Sequence, residues 1–248
     1  MTNAVSRRAF LIETLGALLS LSTVALARTA HARGTAADRW LGELEHVSRA
    51  VTTGRASPRA WRRRVERVSR HVPLGELLRV IDLDAFAAGL VAGDGTEPQL
   101  TIRLPPPPGL DGFVFTTILS RIRAGWAVVP HGHHNMVSMH VVLRGAVRLR
   151  QYDRVHDEPS NLVIRPRADR VCRPGDVAAI SADRGNVHWF QGLADSFALI
   201  VAAYDLDPAA GPTGRDYVDP LAGEPLGDGA IRAPRTTLDE AMRRHLRF

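Results

Sequence analysis

Between positions 113 and 203 the chain is a succession of eight short runs of β-branched and apolar residues: 113–119, 126–129, 136–143, 146–152, 162–164, 177–180, 187–190 and 197–203. Each is closed off by Gly, Pro, Asp or Asn. Runs of this length between turn residues are too short for ordinary helices and read as strands. Eight of them in series predict an all-β-dominated unit, a sandwich or a jelly roll, because that many half-buried strands must cover one another's apolar faces. The rest of the chain is arranged around this block.

Upstream the periodicity changes. Trp40, Leu41, Leu44, Val47 and Val51, and then Trp61, Val65 and Val68, recur at helical spacing. Gly54 and the pair Ser57-Pro58 separate two helices, with Pro58 suited to a first turn. A shorter helix is expected near Leu83. Residues 36–104 therefore form a helical segment, and Pro105, Pro106, Pro107, Pro108 and Gly109 link it to the β block at 110–217. Residues 218–248 make a C-terminal extension that ends in an arginine-rich helix.

All 32 basic residues are arginine, against 26 acidic residues, for a net charge of +6. Arg59, Arg62, Arg63, Arg64, Arg67 and Arg70 with Glu66 read as a solvated helix face. No interleaved aromatic residues or recognition motif accompany them, so no nucleic-acid partner is expected. Cys172 is the single cysteine, which excludes an intrachain disulfide and a thiolate-rich zinc site. Its neighbours give no reason to expect a reactive thiol.

The first 32 residues read as a targeting segment. Ser6-Arg7-Arg8-Ala9-Phe10-Leu11 is a twin-arginine pattern, followed by an apolar stretch at 15–27 and small-residue cleavage positions after Ala27 or Ala32. That stretch, about thirteen residues with Glu13 before it, is shorter than the roughly 20 needed to span a bilayer. The expectation is export by the twin-arginine (Tat) machinery to the periplasm or beyond, with no stable membrane anchor after cleavage. This route carries folded proteins, so a metal can be inserted before export.

The chemistry concentrates in P-H-G-H-H-N-M-V-S-M-H-V-V-L-R-G, positions 130–145. His131 and His133, two apart on an extended strand, point to one face and can share an ion. His188, in G-N-V-H-W-F, is the candidate third ligand. A buried hydrogen-bonded pair is the plainer reading of two such histidines, but the third histidine in a turn-bounded strand favours ligation. Three neutral imidazoles leave up to three coordination positions open, which suits Zn²⁺ in a hydrolase or Fe²⁺ in an oxygenase. His140 shares parity with Ser138 and faces the interior, as a pocket acid or base or as a satisfied core residue.

The spacing fits the first motif of the cupin superfamily, G-x5-H-x-H-x3-4-E-x6-G, through Gly125, His131, His133 and Gly145. Pro174-Gly175-Asp176 with Gly185 and His188 resembles the second motif, stretched by two residues. Ser138 stands where the motif has its glutamate. The resemblance implies a cupin barrel, that is a double-stranded β-helix or jelly roll, with an N-terminal helical segment.

A narrower likeness follows. The stretch resembles the plant cysteine oxidase and cysteamine dioxygenase family, whose H-x-H-P-G-M pattern reaches a glycine twelve residues after the second histidine, as His133 and Gly145 do here. Met136, Tyr152-Asp153, Gly185-Asn186-x-His188, Tyr204 and Gly214-Arg215 also match, over about residues 40–217. The resemblance implies iron(II) on His131, His133 and His188, a small or peptidyl thiol and dioxygen as substrates, and a sulfinate as product. It also implies that Tyr204 donates to a bound oxygen species. The family's aspartate on the last barrel strand, which meets the substrate amine, falls here on Ala198 or Ile200. Two other functions stay open: a metal-bearing cupin that senses or sequesters a ligand without turnover, and a cupin dioxygenase acting on a non-thiol substrate.

Overall fold

The computed structural model describes residues 35–89 and 99–248. The expected signal segment lies outside the described residues. Among the described residues four helices come first: α1 (Ala36–Thr52), α2 (Pro58–Val68), α3 (Leu74–Val80) and α4 (Leu83–Gly89). Thr35 and Asp38 form a capping box at the start of α1, and Ser57 caps α2 with Pro58 in its first turn. Among the described residues no helix is long and apolar enough to cross a membrane.

Twelve strands follow: β1 (Gln99–Ile102), β2 (Thr116–Ile122), β3 (Ala127–His134), β4 (Met136–Arg144), β5 (Val147–Asp157), β6 (Asn161–Cys172), β7 (Val177–Ile180), β8 (Val187–Gly192), β9 (Ser196–Tyr204), β10 (Gly214–Val218), β11 (Glu224–Pro225) and β12 (Ile231–Thr236). A closing helix, α5, spans Leu238–His245. One sheet runs β1-β2-β9-β4-β7 and the other β10-β3-β8-β5-β6-β12-β11, with β10 also pairing β12. The strands β2 to β9 thus pair as 2-9-4-7 and 3-8-5-6, all antiparallel. That is the strand order of a jelly roll.

Strands β4 and β9 are apolar at nearly every position because both of their faces are covered. Val137, Met139, Val141 and Leu143, with Leu199, Val201 and Ala203, face outward and pack under Trp40, Leu44, Val47, Trp61, Val65 and Leu77 of the helices. Each fully buried leucine or valine there contributes about 1.5–3 kcal/mol relative to exposure. The indole N–H groups find partners inside this layer, Trp40 on Ser69 Oγ at 3.0 Å and Trp61 on Ser48 Oγ at 3.1 Å. The alternate residues Met136, Ile200 and Ala202, joined by Ile118, face into the barrel.

Three expectations are corrected. The segment 36–104 is not helical throughout, since β1 is an edge strand on β2. It is short and half-exposed, so alternation in the sequence does not reveal it. Arg62 is not on a solvated face: it is buried, donates to the Ala179 carbonyl at 3.2 Å and pairs with Glu66, which ties α2 to β7. Finally, the Pro- and Gly-rich C-terminal stretch contributes β10, β11 and β12. β12 lies between β6 and β10, and the circuit β10-β3-β8-β5-β6-β12 closes on itself. Tyr152, Leu162, Ile164, Val187, Val218 and Ala233 fill the space it encloses.

Candidate metal centre

The centre is built by β3, β8 and β10. Pro130 falls where the β3–β8 register shifts between Val128 and His131, a place in a strand that tolerates the missing N–H. Beyond that irregularity His131 sits directly opposite His188, so the two rings project to the same face and lie 4.3 Å apart. His133, two residues on, joins them with ring separations of 4.7 Å to His131 and 5.3 Å to His188. One nitrogen from each of the three comes within 4.8 Å of the others, and all three residues are buried. Among the described residues no carboxylate or thiol belongs to this cluster.

Tautomers follow from the outer contacts. His131 Nδ1 lies 2.9 Å from the Val129 carbonyl and His188 Nδ1 lies 2.9 Å from the Asn186 carbonyl. A carbonyl only accepts, so both Nδ1 atoms carry the proton and both Nε2 atoms present lone pairs. His133 Nε2 lies 3.1 Å from His131 Nε2, while its own buried Nδ1 makes no well-formed hydrogen bond, although the Gly214 carbonyl acts on the ring. An N–H···N bond between the two Nε2 atoms would leave that Nδ1 as a bare buried acceptor. A cation between converging lone pairs satisfies the arrangement at the Nε2 side and frees Nδ1 to hold the proton. The donor set therefore fits a metal ion of the imidazole-binding class.

Burial is the main force on these groups. It holds His131 and His133 well below the usual histidine range, helped in both by the neighbouring His188. For His188 burial wins over the Asn186 carbonyl and lowers the pKa to about 4. All three are neutral at physiological pH, the form that ligates.

Asn186 holds the two halves together. Its Nδ2 donates to the His133 carbonyl at 2.7 Å and to the Ser181 carbonyl at 3.0 Å, while its own carbonyl orients His188. Gly132, between the two histidines, makes room for it: a Cβ there would come 2.5 Å from Asn186 Oδ1. The spacing N-x-H is the signal in the sequence that points to this positioning role.

The other candidates lie around the centre. Ser138 is buried on the inner face of β4, opposite Ala202 and Ile180, and its Oγ has no partner. His140, on the same face, has its ring 5.7 Å from that of His188 and 4.9 Å from that of Phe190, with Nδ1 unpartnered. Burial, then His188, lowers its pKa to about 3. Tyr204 ends β9 opposite Met136, at the rim, with 37% of its surface exposed. Burial raises its pKa and Arg215 opposes the shift. His134 points away from the cluster, is exposed, and lies 3.7 Å from Asp216. Cys172 is buried in the apolar floor with Leu149 and Phe190, which pushes its thiol pKa up.

No protein-family model and no curated protein matches the chain. Among solved structures it is similar to a cupin superfamily protein from Desulfitobacterium hafniense, at 14% identity and a TM-score of 0.31, over 47% of this chain and 85% of that one. It is also similar to procruciferin, an 11S globulin from Brassica napus, at 16% identity and a TM-score of 0.35. That match covers 54% of this chain and 30% of the globulin. The strand order defines the class: a jelly roll of the architecture that cupins share. Within it, this chain carries a buried three-histidine centre that can hold a metal ion and includes no carboxylate.

Proposed function

We propose that this protein is an exported non-haem iron(II) thiol dioxygenase that adds both atoms of dioxygen to a thiol and yields a sulfinate. The observation that carries the reading is the set of converging Nε2 atoms on His131, His133 and His188 with Ser138 in place of a carboxylate ligand. Such a set leaves room for two exogenous ligands at once, as a reaction between a thiol and dioxygen requires. Bound there, iron(II) would supply the coordination positions at which the two substrates meet. The overall reaction, thiol plus dioxygen to sulfinic acid, balances without an external reductant: sulfur loses four electrons and dioxygen gains them.

The chain's own groups supply the surroundings. Met136, Ile118, Ile200 and Ala202 form an apolar wall that excludes water and accommodates the carbon skeleton of a small substrate. His140, neutral and beside the Ala178 carbonyl, is the group inside the barrel through which a proton would pass. The Tyr204 hydroxyl at the rim, which has no hydrogen bond to a described residue, is available as a donor. The twin-arginine pattern supports loading in the cytoplasm before export.

Oxygen uptake by iron(II)-reconstituted protein against a panel of thiols tests the reading, with the product identified as sulfinate by mass spectrometry. A second reading, ligand capture without turnover, is favoured by the lack of any acidic residue on the inner face of β9. Tight binding of a ligand with no oxygen consumed would establish that reading instead.

A further inference from the structure

β7 is the last strand of its sheet, so one of its edges carries carbonyl groups that no strand pairs. Carbonyls two residues apart point off the same edge. On β7 both of these take a guanidinium: Val177 accepts from Arg170 Nη2 at 2.8 Å and Ala179 accepts from Arg62 Nε at 3.2 Å. The edge thereby draws an arginine of β6 and an arginine of α2 to points two residues apart along the strand, roughly 7 Å. They line a cleft of about 310 Å³ between α2, β6 and β7, which Arg167, Glu66 and Gln151 help to complete. None of the three histidines lines it.

The charges around this cleft do not balance. Arg62 is buried, its Nη2 pairs with Glu66 at 2.5 Å, and its Nη1 has no partner among the described residues. Arg170 has no ion pair among the described residues; its one contact is the Val177 carbonyl. Asp153 serves two arginines at once, Arg167 at 3.4 Å and Arg184 at 3.2 Å, while its other oxygen accepts the Gly185 N–H at 2.8 Å. Four guanidinium groups thus share two carboxylates, which leaves two positive charges in excess. The groups act on one another: burial lowers the Arg62 pKa, Glu66 opposes this, and Arg167 and Arg184 lower it further. Sealing the β7 edge needs only one donor on each carbonyl. It accounts neither for Arg167 nor for the free Nη1 of Arg62.

We propose that this cleft, at the seam between the helical layer and the two sheets, is a second ligand site that binds a tetrahedral dianion, phosphate or sulfate, held by Arg62, Arg167 and Arg170. Guanidinium groups make paired hydrogen bonds to the oxygens of such an ion, and a dianion cancels the excess charge. The cleft volume stands at the lower end of the range for small-molecule sites, so the anion can be free or the end of a short monoester. The site goes beyond the function proposed above and does not rest on it.

Calorimetric titration of the full-length protein with sodium phosphate, at fixed ionic strength, tests this. Saturable binding of one phosphate per chain is expected. Arg170→Gln and Arg167→Gln, both at exposed positions, should each weaken it about tenfold, with Arg170→Lys closer to the wild type. Arg63→Gln, at an exposed position of the same helix as Arg62, should stay within about twofold. His133→Ala should bind phosphate as the wild type does, which separates the cleft from the histidine centre. Sulfate should compete, and acetate at the same ionic strength should not. Glycerol 3-phosphate separates the two sources of the anion: tighter binding than phosphate supports the site as one for a monoester, and equal binding supports it as one for the free ion. The proposal is overturned if phosphate shows no saturable binding or if Arg170→Gln binds it as well as the wild type. It is equally overturned if Arg63→Gln weakens binding as much, which would mean diffuse surface charge, or if His133→Ala abolishes it.

Discussion

His133 is the histidine whose ring is held least firmly, since the Gly214 carbonyl acts on it without a well-formed hydrogen bond while Val129 and Asn186 fix the other two rings at 2.9 Å. Its place depends on the backbone, and the backbone there depends on Asn186. His133→Ala should therefore remove most bound metal, read as metal per chain by elemental analysis; full occupancy would refute the ligand assignment. Asn186→Ala should keep the three ligands but weaken metal affinity about 10- to 100-fold, the range for loss of an orienting contact. Unchanged affinity in a chelator competition would show that Asn186 only closes the turn. The lowered histidine pKa values add a pH dependence whose sign is fixed. At pH 7 His140 and His188 are neutral both folded and unfolded, and contribute nothing. Below the ordinary value of 6.5 the unfolded chain takes up protons that the folded chain refuses, down to about 4 for His188 and about 3 for His140. Metal-free protein should thus lose about 1.4 kcal/mol per pH unit for each such histidine over that window. Melting curves between pH 7 and 4.5 check this, and a flat profile would mean the rings are solvated.

The strands and turns explain which substitutions the fold tolerates. The β4–β5 turn at Gly145 has φ of 83°, and a Cβ there would approach the Asp195 carbonyl to 2.5 Å and Ser196 Cα to 2.7 Å. Gly145→Ala meets both the left-handed backbone and the neighbouring turn, so a loss of more than about 1–3 kcal/mol is expected in urea unfolding. A milder effect would show that the turn can shift. Arg62 makes a comparable claim for the helix layer. Arg62→Ala removes the shorter of two donors to the Ala179 carbonyl, leaving the 3.4 Å contact from Gln151 Nε2, with an expected cost of about 1 kcal/mol. The same substitution at exposed Arg63 should change stability by less than about 0.5 kcal/mol. β2 through β9 were legible as strands, with β4 and β9 the clearest because two-faced burial writes itself as an unbroken apolar run, and β6 only at 162–164, since the rest of it is polar and exposed. β10 and β12 were not, because each is short and polar, and Pro234 interrupts β12 as it would a loop.

For the molecule as a whole, the C-terminal stretch closes a circuit of strands rather than trailing from the barrel. β12 caps the edge of β6, and the side chains around Leu162, Ile164 and Val218 lose their cover without it. Ending the chain after Val218 should therefore abolish cooperative thermal unfolding, and a truncated chain that melts sharply at the full-length temperature would refute this. Local rules were enough to derive an all-β unit of sandwich or jelly-roll type, the helical start and the pairing of His131 with His133, because strand period, turn residues and short-range spacing are properties of neighbouring residues. His188 was reachable only through its turn-bounded context, being about fifty residues away along the chain. What tertiary structure alone decided is the surroundings of the centre. The register of β10 against β3 puts Arg215 opposite His133 and Tyr217 opposite His131, and the β9 register puts Ile200 and Ala202 opposite His140 and Ser138. Registers between distant strands are set by which faces can be buried together, and that depends on every strand at once.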